Sequence, residues 1–227
     1  METFNAAVWE EEIYSKGHHL NRYPFDNVVS FIYRNYPRSK PRADIRILEM
    51  GCGAGNNCWF AAREGFNITG IDGSASAIEF VKKRFANEGL NGNFVVGDFT
   101  QLPFEDSEFD IVIDRGSIVC CNREGGRKAI GEAHRVLGAN GLFFFNPYSQ
   151  VHSSFSSGRL QADGYVRDIQ GGSLTGVGDL CFYSHSDILS ALAEAWTVKK
   201  VIHKEHRDIT GAEQTVHAEW EVIAIKN

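Results

Sequence analysis

Positive charge is in short supply in this chain of 227 residues: 23 lysines and arginines stand against 29 aspartates and glutamates, a formal net charge of -6. That balance argues against a surface built mainly to hold nucleic acid and favours small or neutral substrates. Cysteine is scarce and odd in number. Cys52, Cys58, Cys120, Cys121 and Cys181 include no C-x-x-C pair, so neither a disulfide framework nor a zinc site is indicated, no metal is expected, and the thiols should be free and mostly buried. No apolar run approaches the roughly 20 residues of a membrane span. The start, Met1-Glu2-Thr3-Phe4, lacks the basic and apolar character of a signal peptide, so a cytoplasmic location without a membrane partner is expected. There is no internal repeat. What remains, 43% hydrophobic and 23% charged, suits one globular domain over residues 1–227 with a substantial core. Oligomeric state stays open, a homodimer included.

Strand and helix patterns alternate along the chain. Ile45 to Met50 is a continuous apolar run, as a parallel strand covered on both faces should be. A helix from about Asn57 to Glu64 ends at Gly65, and Phe66 to Asp72 reads as a second strand with a carboxylate at its end. Ser74 can cap the next helix, whose apolar positions Ile78, Phe80, Val81 and Phe85 recur at near-helical spacing before Gly89. Asn93 to Val96 and Phe109 to Asp114 are a third and a fourth strand, with Pro103 breaking the loop between them. Arg127 to Leu137 predicts a helix stopped by Gly138, and Gly141 to Phe145 a fifth strand. Such alternation implies an α/β fold with a doubly wound sheet and helices on both faces. From Pro147 to about Asp179 the chain turns rich in Ser and Gly without periodicity, too long for an ordinary connection and therefore read as a lid or an unstructured insertion. Ser184 or Ser186 can cap a helix running through Glu194. Two final strands, Thr197 to His203 and Val216 to Ile225, flank a polar turn containing Gly211.

The densest signal is Ile47-Leu48-Glu49-Met50-Gly51-Cys52-Gly53-Ala54-Gly55-Asn56, a short apolar strand running into three glycines spaced two apart. Glycine allows positive φ and lets a ligand approach bare backbone, so the pattern points to a nucleotide cofactor. The spacing separates cofactors. A dinucleotide fingerprint reads G-x-G-x-x-G and places a pyrophosphate on a helix N-terminus; here the third glycine comes one residue early, Asn56 fills the slot that fingerprint gives to glycine, and Glu49 is poised to repel a phosphate. A nicotinamide oxidoreductase is disfavoured on both counts. An acid beside the cofactor suits a cationic ligand.

E-x-G-x-G-x-G after a buried strand resembles motif I of the class I S-adenosylmethionine-dependent methyltransferases, whose cofactor carries a sulfonium and an ammonium and no phosphate. The match is good over Ile45 to Asn146 and extends to the tail by pattern: the resemblance implies a seven-stranded Rossmann-like sheet with its last strand inserted antiparallel. It implies S-adenosyl-L-methionine as cofactor, held by Gly51, Cys52, Gly53 and Asn56 with Glu49 nearby. Asp72, about 20 residues beyond the first glycine, can accept both ribose hydroxyls because a carboxylate offers two oxygens to two donors, and Gly73 and Ser74 follow it. Asp98 with Phe99 resembles the adenine site. Asp114 and Arg115 follow the fourth strand, where the family holds the methionine part and begins the acceptor site.

Ahead of the first strand, residues 1–40 concentrate Trp9, Tyr14, Lys16, His18, His19, Arg22, Tyr23 and Pro24, more aromatic and basic side chains than a leader needs. This segment resembles the cap of several methyltransferases, in which an arginine pairs with the cofactor carboxylate. By that likeness Arg22 is the arginine, since guanidinium offers a fork to a carboxylate, and Tyr14 lies beside the cofactor. The cap and the 147–180 insertion are expected to cover the acceptor site.

Methyl transfer from a sulfonium asks the protein chiefly to align the acceptor and exclude water. An oxygen acceptor also needs a base, for which His18, His19, His152 and His185 are candidates, with His18 or His19 first because the cap should meet the methyl end. His203, His206 and His217 fall in the tail strands and read as structural or exposed. Asn146-Pro147-Tyr148-Ser149 is similar to the tetrapeptide of amino-directed DNA methyltransferases, but that motif ends the fourth strand and this one ends the fifth, so DNA is not indicated. The expected activity is methyl transfer to a hydroxyl or amino group of a small molecule, such as a sugar, metabolite or natural-product intermediate. The competing reading is a regulatory protein that binds the cofactor without turnover.

Overall fold

The computed structural model describes residues 6–210 and 214–227. The start at Met1 to Phe4 and the turn glycine Gly211 lie outside them. Ten strands are present among the described residues, in two sheets. β1 (Arg46–Met50), β2 (Asn67–Asp72), β3 (Asn93–Val96), β4 (Phe109–Asp114) and β5 (Leu137–Phe145) run parallel, and the long strands β9 (Trp196–Asp208) and β10 (Thr215–Lys226) complete a sheet of order β3-β2-β1-β4-β5-β10-β9. β10 pairs antiparallel with both β5 and β9, so the final strand is inserted antiparallel as the pattern implied. Strand order reverses between β1 and β4, which opens a crevice at the carboxyl ends of those strands.

Both faces of the sheet are buried because side chains alternate along each strand. Ile47 of β1, Ile111 and Ile113 of β4 and Phe144 of β5 face one core with α2 (Asp26–Asn35), α3 (Asn56–Arg63) and α4 (Ala75–Glu88). Leu48, Val112, Phe143 and Phe145 face the other, with α5 (Arg123–Val136). The three consecutive phenylalanines therefore serve two cores: Phe144 stacks on Phe31 of α2, centroids 4.7 Å apart, while Phe143 and Phe145 stack on each other at 5.7 Å.

Local signals fix most ends. Ser74 caps α4 by accepting the Ala77 N–H, and Gly89 closes that helix in the left-handed region. Ser184 and Asp187 form a reciprocal capping box on α7 (His185–Ala191), which ends three residues short of Glu194. The α5 boundaries need correction. The helix starts at Arg123, four residues early, because the Asn122 side chain accepts the Gly125 N–H and outweighs the poor helix propensity of Gly125 and Gly126. Gly138 does not stop it; Leu137 turns directly into β5, whose pairing with β4 shifts register between Phe109 and Ile111.

The 147–180 insertion also differs from expectation. It holds α6 (Ser153–Ser156) and, with Leu180 and Cys181, a small antiparallel sheet of β6 (Arg159–Leu160), β7 (Tyr165–Arg167) and β8 (Leu180–Cys181). Val166, Ile169, Leu174 and Val177 are buried in the α5-side core, and the Tyr165 hydroxyl donates to the Cys120 carbonyl at 3.0 Å. This segment is a packed annex, not a loose lid, and its strands are too short to show a two-residue period in sequence. All five cysteines are buried free thiols.

Candidate active site

Three glycines at the end of β1 take positive φ, +64° at Gly51, +50° at Gly53 and +71° at Gly55, a turn that side chains on L-residues resist. Their missing Cβ atoms make room for the protein's own groups. A Cβ on Gly51 would collide with the Ser117 hydroxyl, one on Gly55 with Val81, and one on Gly53 with the Tyr14 hydroxyl. Ser117 Oγ is fixed there by donating to the carbonyls of Met50 at 2.9 Å and Gly51 at 3.2 Å. The loop is then clamped to the neighbouring strand: Cys52 N–H donates to the Ile71 carbonyl, and Gly53 N–H to Asp72 Oδ2 at 2.8 Å.

Around this loop lies a cavity enclosing about 870 Å³ of space, its open mouth included. Glu49, Gly51, Cys52, Gly53, Asn56, Asp72, Gly73, Ser74 and Phe99 line it, together with Tyr14 and His19 from the N-terminal segment and Arg115 after β4. Twelve of the sixteen residues expected from the sequence thus meet in one crevice.

The other four do not line it. His18 is exposed and does not border the cavity, whereas His19, also exposed, does, from a backbone with φ of +55°. Arg22 is exposed; only its carbonyl is engaged, by Arg84. Asp98 is exposed and accepts the Thr100 N–H. Asp114 is fully buried beneath the floor, where one oxygen accepts the N–H groups of Ser117 and Ile118, both at 2.9 Å, and the other has no partner among the described residues. Burial pushes its carboxyl up to about 6. Asp114 shapes the turn that carries Arg115.

Glu49 is 3% exposed and accepts from Asn57 Nδ2 at 2.7 Å and Cys58 Sγ at 3.0 Å. Burial outweighs both bonds and raises its carboxyl to about 7. Asp72 is raised too, by burial against the N–H groups of Ser74 and Gly53 that hold its two oxygens. Two buried acids therefore face this end of the cavity.

The N-terminal segment comprises α1 (Ala6–Val8) and a π-helical stretch, Trp9–Tyr14. Glu10 anchors it on the start of α4, accepting from the Ser74 hydroxyl and from Ser76 N–H and Oγ, the latter at 2.6 Å. Those bonds, Ser74 first, hold the Glu10 carboxyl below its usual range. Trp9 and Tyr14 lie with ring centroids 5.8 Å apart, and His19 meets Trp9 edge-on at 6.0 Å.

At the opposite end the wall is made by residues the sequence did not single out as site residues: Phe25, Asn57, Ser117, Cys120 and Tyr148. Arg115 sits with its guanidinium 3.9 Å from the Phe25 ring centroid and one terminal nitrogen 3.3 Å from Glu219 on β10. Glu219 also takes Asn27 Nδ2 at 3.3 Å and lies 3.6 Å from His217. Although burial pushes the Glu219 carboxyl up, His217 and Arg115 outweigh it and hold it below its usual range. Burial raises the Tyr148 phenol, with Arg115 opposing. Tyr148 is the only described residue of the 147–180 insertion that lines the cavity. Its place after Asn146, which ends β5 with bonds to Asn27 and the Trp220 carbonyl, was the available signal.

A seven-stranded sheet of this order, with a glycine turn after β1 and a strand-end acid after β2, defines the Rossmann-like class I S-adenosylmethionine-dependent methyltransferase fold. Residues 47–141 match a family model described as a methyltransferase domain. Phthiotriol/phenolphthiotriol dimycocerosates methyltransferase of Mycobacterium tuberculosis is 31% identical over 133 residues, covering 56% of this chain and 47% of that protein. Fatty-acid O-methyltransferase of Mycolicibacterium smegmatis is 34% identical over 136 residues, covering 58% and 45%. The chain thus spans just under half the length of these curated relatives. Among solved structures, a protein titled as a SAM-dependent methyltransferase from Methanosarcina mazei superposes with a TM-score of 0.69 at 22% identity, covering 86% of this chain and 96% of its own.

Proposed function

We propose that this protein is an S-adenosylmethionine-dependent methyltransferase acting on a hydroxyl or amino group of a small molecule. The observation that carries the reading is the cavity at the β1, β2 and β4 ends, where two buried acids, Glu49 and Asp72, face the ligand space and Arg115 is the one lysine or arginine among the described lining residues. Such a donor set fits a sulfonium and an ammonium and disfavours a diphosphate. Relatives named as methyltransferases, one of them an O-methyltransferase, support the same reading.

Bound in this cavity, S-adenosylmethionine supplies a methyl group already activated on a sulfonium. The chain's own residues do the rest. Asp72 keeps lone pairs free beside its two backbone bonds and accepts ribose hydroxyls; Gly73, Ser74 and Phe99 border the nucleoside; the backbone at Arg115 and Gly116 meets the methionyl part. Glu49 faces cationic groups, which draw its proton off. Trp9, Tyr14 and His19 of the cap exclude water over the reacting end. For an oxygen acceptor His19 is the base, since it alone of the two adjacent histidines reaches the cavity. No described helix is long and apolar enough to cross a membrane. The partner is a small-molecule acceptor.

Calorimetry separates the cofactors: S-adenosylmethionine or S-adenosylhomocysteine should bind and NAD should not, and a preference for NAD overturns the assignment. With an acceptor in hand, His19→Ala should lose turnover while keeping cofactor affinity, and His18→Ala should keep both. Equal turnover in all three proteins would remove His19 as the base.

A further inference from the structure

Arg115 is a strong cation in an incomplete setting. Its side chain is 14% exposed, and its Nε is buried without a hydrogen-bond partner among the described residues. The contact with Glu219 at 3.3 Å is longer than the 2.7–2.9 Å of a tight charge-assisted bond and uses one terminal nitrogen only. Glu219 meanwhile divides itself among Arg115, Asn27 and His217. A guanidinium held by one long contact keeps donor capacity that a ligand at its terminal nitrogens can use. The guanidinium lies over Phe25 and borders the same cavity as Tyr148, so a charged group brought to it would sit between aromatic walls.

We propose that the acceptor is a flat molecule bearing a carboxylate, and that this carboxylate docks on the Arg115 guanidinium. The inference rests on the methyltransferase reading and adds the acceptor's chemical class to it. A guanidinium favours a carboxylate over a neutral oxygen by its charge, and its terminal nitrogens can donate to carboxylate oxygens. The two ends of the cavity then differ in sign: acids at the cofactor end, a guanidinium at the acceptor end. Arg115 is a positioning residue that selects the acceptor by charge, while the methyl goes to a hydroxyl or amino group elsewhere on the same molecule.

The test uses the full chain saturated with S-adenosylhomocysteine and titrated in a calorimeter with 4-hydroxybenzoate, 3,4-dihydroxybenzoate and 4-hydroxycinnamate, each against its carboxamide. At least one acid should bind about tenfold or more tighter than its amide, the scale of a charged hydrogen-bonded pair. Arg115→Gln, saturated with S-adenosylhomocysteine, should lose that preference. Glu219→Gln, which frees the guanidinium, should tighten the acid. In turnover with the preferred acid, Arg115→Lys should raise KM more than it lowers kcat, because a point charge replaces a fork. Acids and amides that bind equally, or not at all, overturn the proposal. So does an Arg115→Gln protein that loses S-adenosylhomocysteine instead, which would give the guanidinium to the cofactor's own carboxylate. Failure of S-adenosylhomocysteine to bind the unmodified protein would instead be failure of the methyltransferase reading.

Discussion

At one end of the cavity the walls are strand ends; at the other they are side chains delivered by the N-terminal segment and by the chain just after β5. Gly51, Gly53 and Asp72 stand where the parallel registers of β1 and β2 put them, and their mutual bonds run through backbone N–H groups. Trp9, Phe25 and Tyr148 reach the same space only because the N-terminal segment and the chain after β5 pack against the sheet. The first end is set by hydrogen-bond geometry that tolerates little change. The second is set by packing, where substitutions alter shape without moving a strand. A shared cofactor and a private acceptor divide naturally along that line.

Gly53 is where the two ends meet, and the largest effect is expected there. Gly53→Ala forces an L-residue into positive φ and drives its Cβ onto the Tyr14 hydroxyl, so cofactor affinity should fall by about 2 kcal/mol or more. Adding Tyr14→Phe should recover part of that loss in the same titration. No recovery would mean that the cap does not press on the glycine turn.

Asp72→Ala comes next, with an expected loss of about 1–3 kcal/mol in S-adenosylhomocysteine binding, the range of hydrogen bonds to charged groups. Because Asp72 also holds the Gly53 and Ser74 N–H groups, the variant should show faster amide exchange in residues 51–55 as well. Unchanged affinity would move the ribose elsewhere.

Glu49 supplies a pH test with a definite sign. Its carboxyl rises from 4.5 to about 7 in the folded protein, so the ionised form is the penalised one. Stability should therefore fall as pH rises from about 4.5 through 7, and Glu49→Gln should be the more stable protein at pH 8, by up to about 3 kcal/mol, with little difference at pH 4.5. A cationic ligand favours the carboxylate. Cofactor affinity should climb with pH to a plateau above 7 in the parent and lose that dependence in Glu49→Gln; a pH-independent parent would separate Glu49 from the cation.

The smallest effect belongs to Glu10, which lies near the surface. Glu10→Gln should speed amide exchange over residues 9–14 while cofactor affinity changes by less than about threefold. A larger loss of affinity would make the cap part of the cofactor end and erase the division.

The same division decides what the sequence disclosed. β3 and β4 are where Asn93 to Val96 and Phe109 to Asp114 placed them, since glycines and Pro103 punctuate their ends and each holds three apolar residues in a row, Phe94 to Val96 and Ile111 to Ile113. The glycine turn and Asp72 follow from spacing alone. The start of α5 was hidden by Gly125-Gly126, whose low propensity masks a good asparagine cap. Phe25 carries no local mark and Tyr148 only its place after Asn146, because facing a cavity is a tertiary fact. Arg22 and Arg115 are chemically alike, and only packing turns one outward and the other in.

Ser74 closes a small circuit. Its N–H serves Asp72, its hydroxyl oxygen terminates α4, and its hydroxyl proton grips Glu10. One residue thus ties the roof that Glu10 anchors to the carboxylate of Asp72, so a lesion at Ser74 should read as two defects at once, one above the crevice and one beside it.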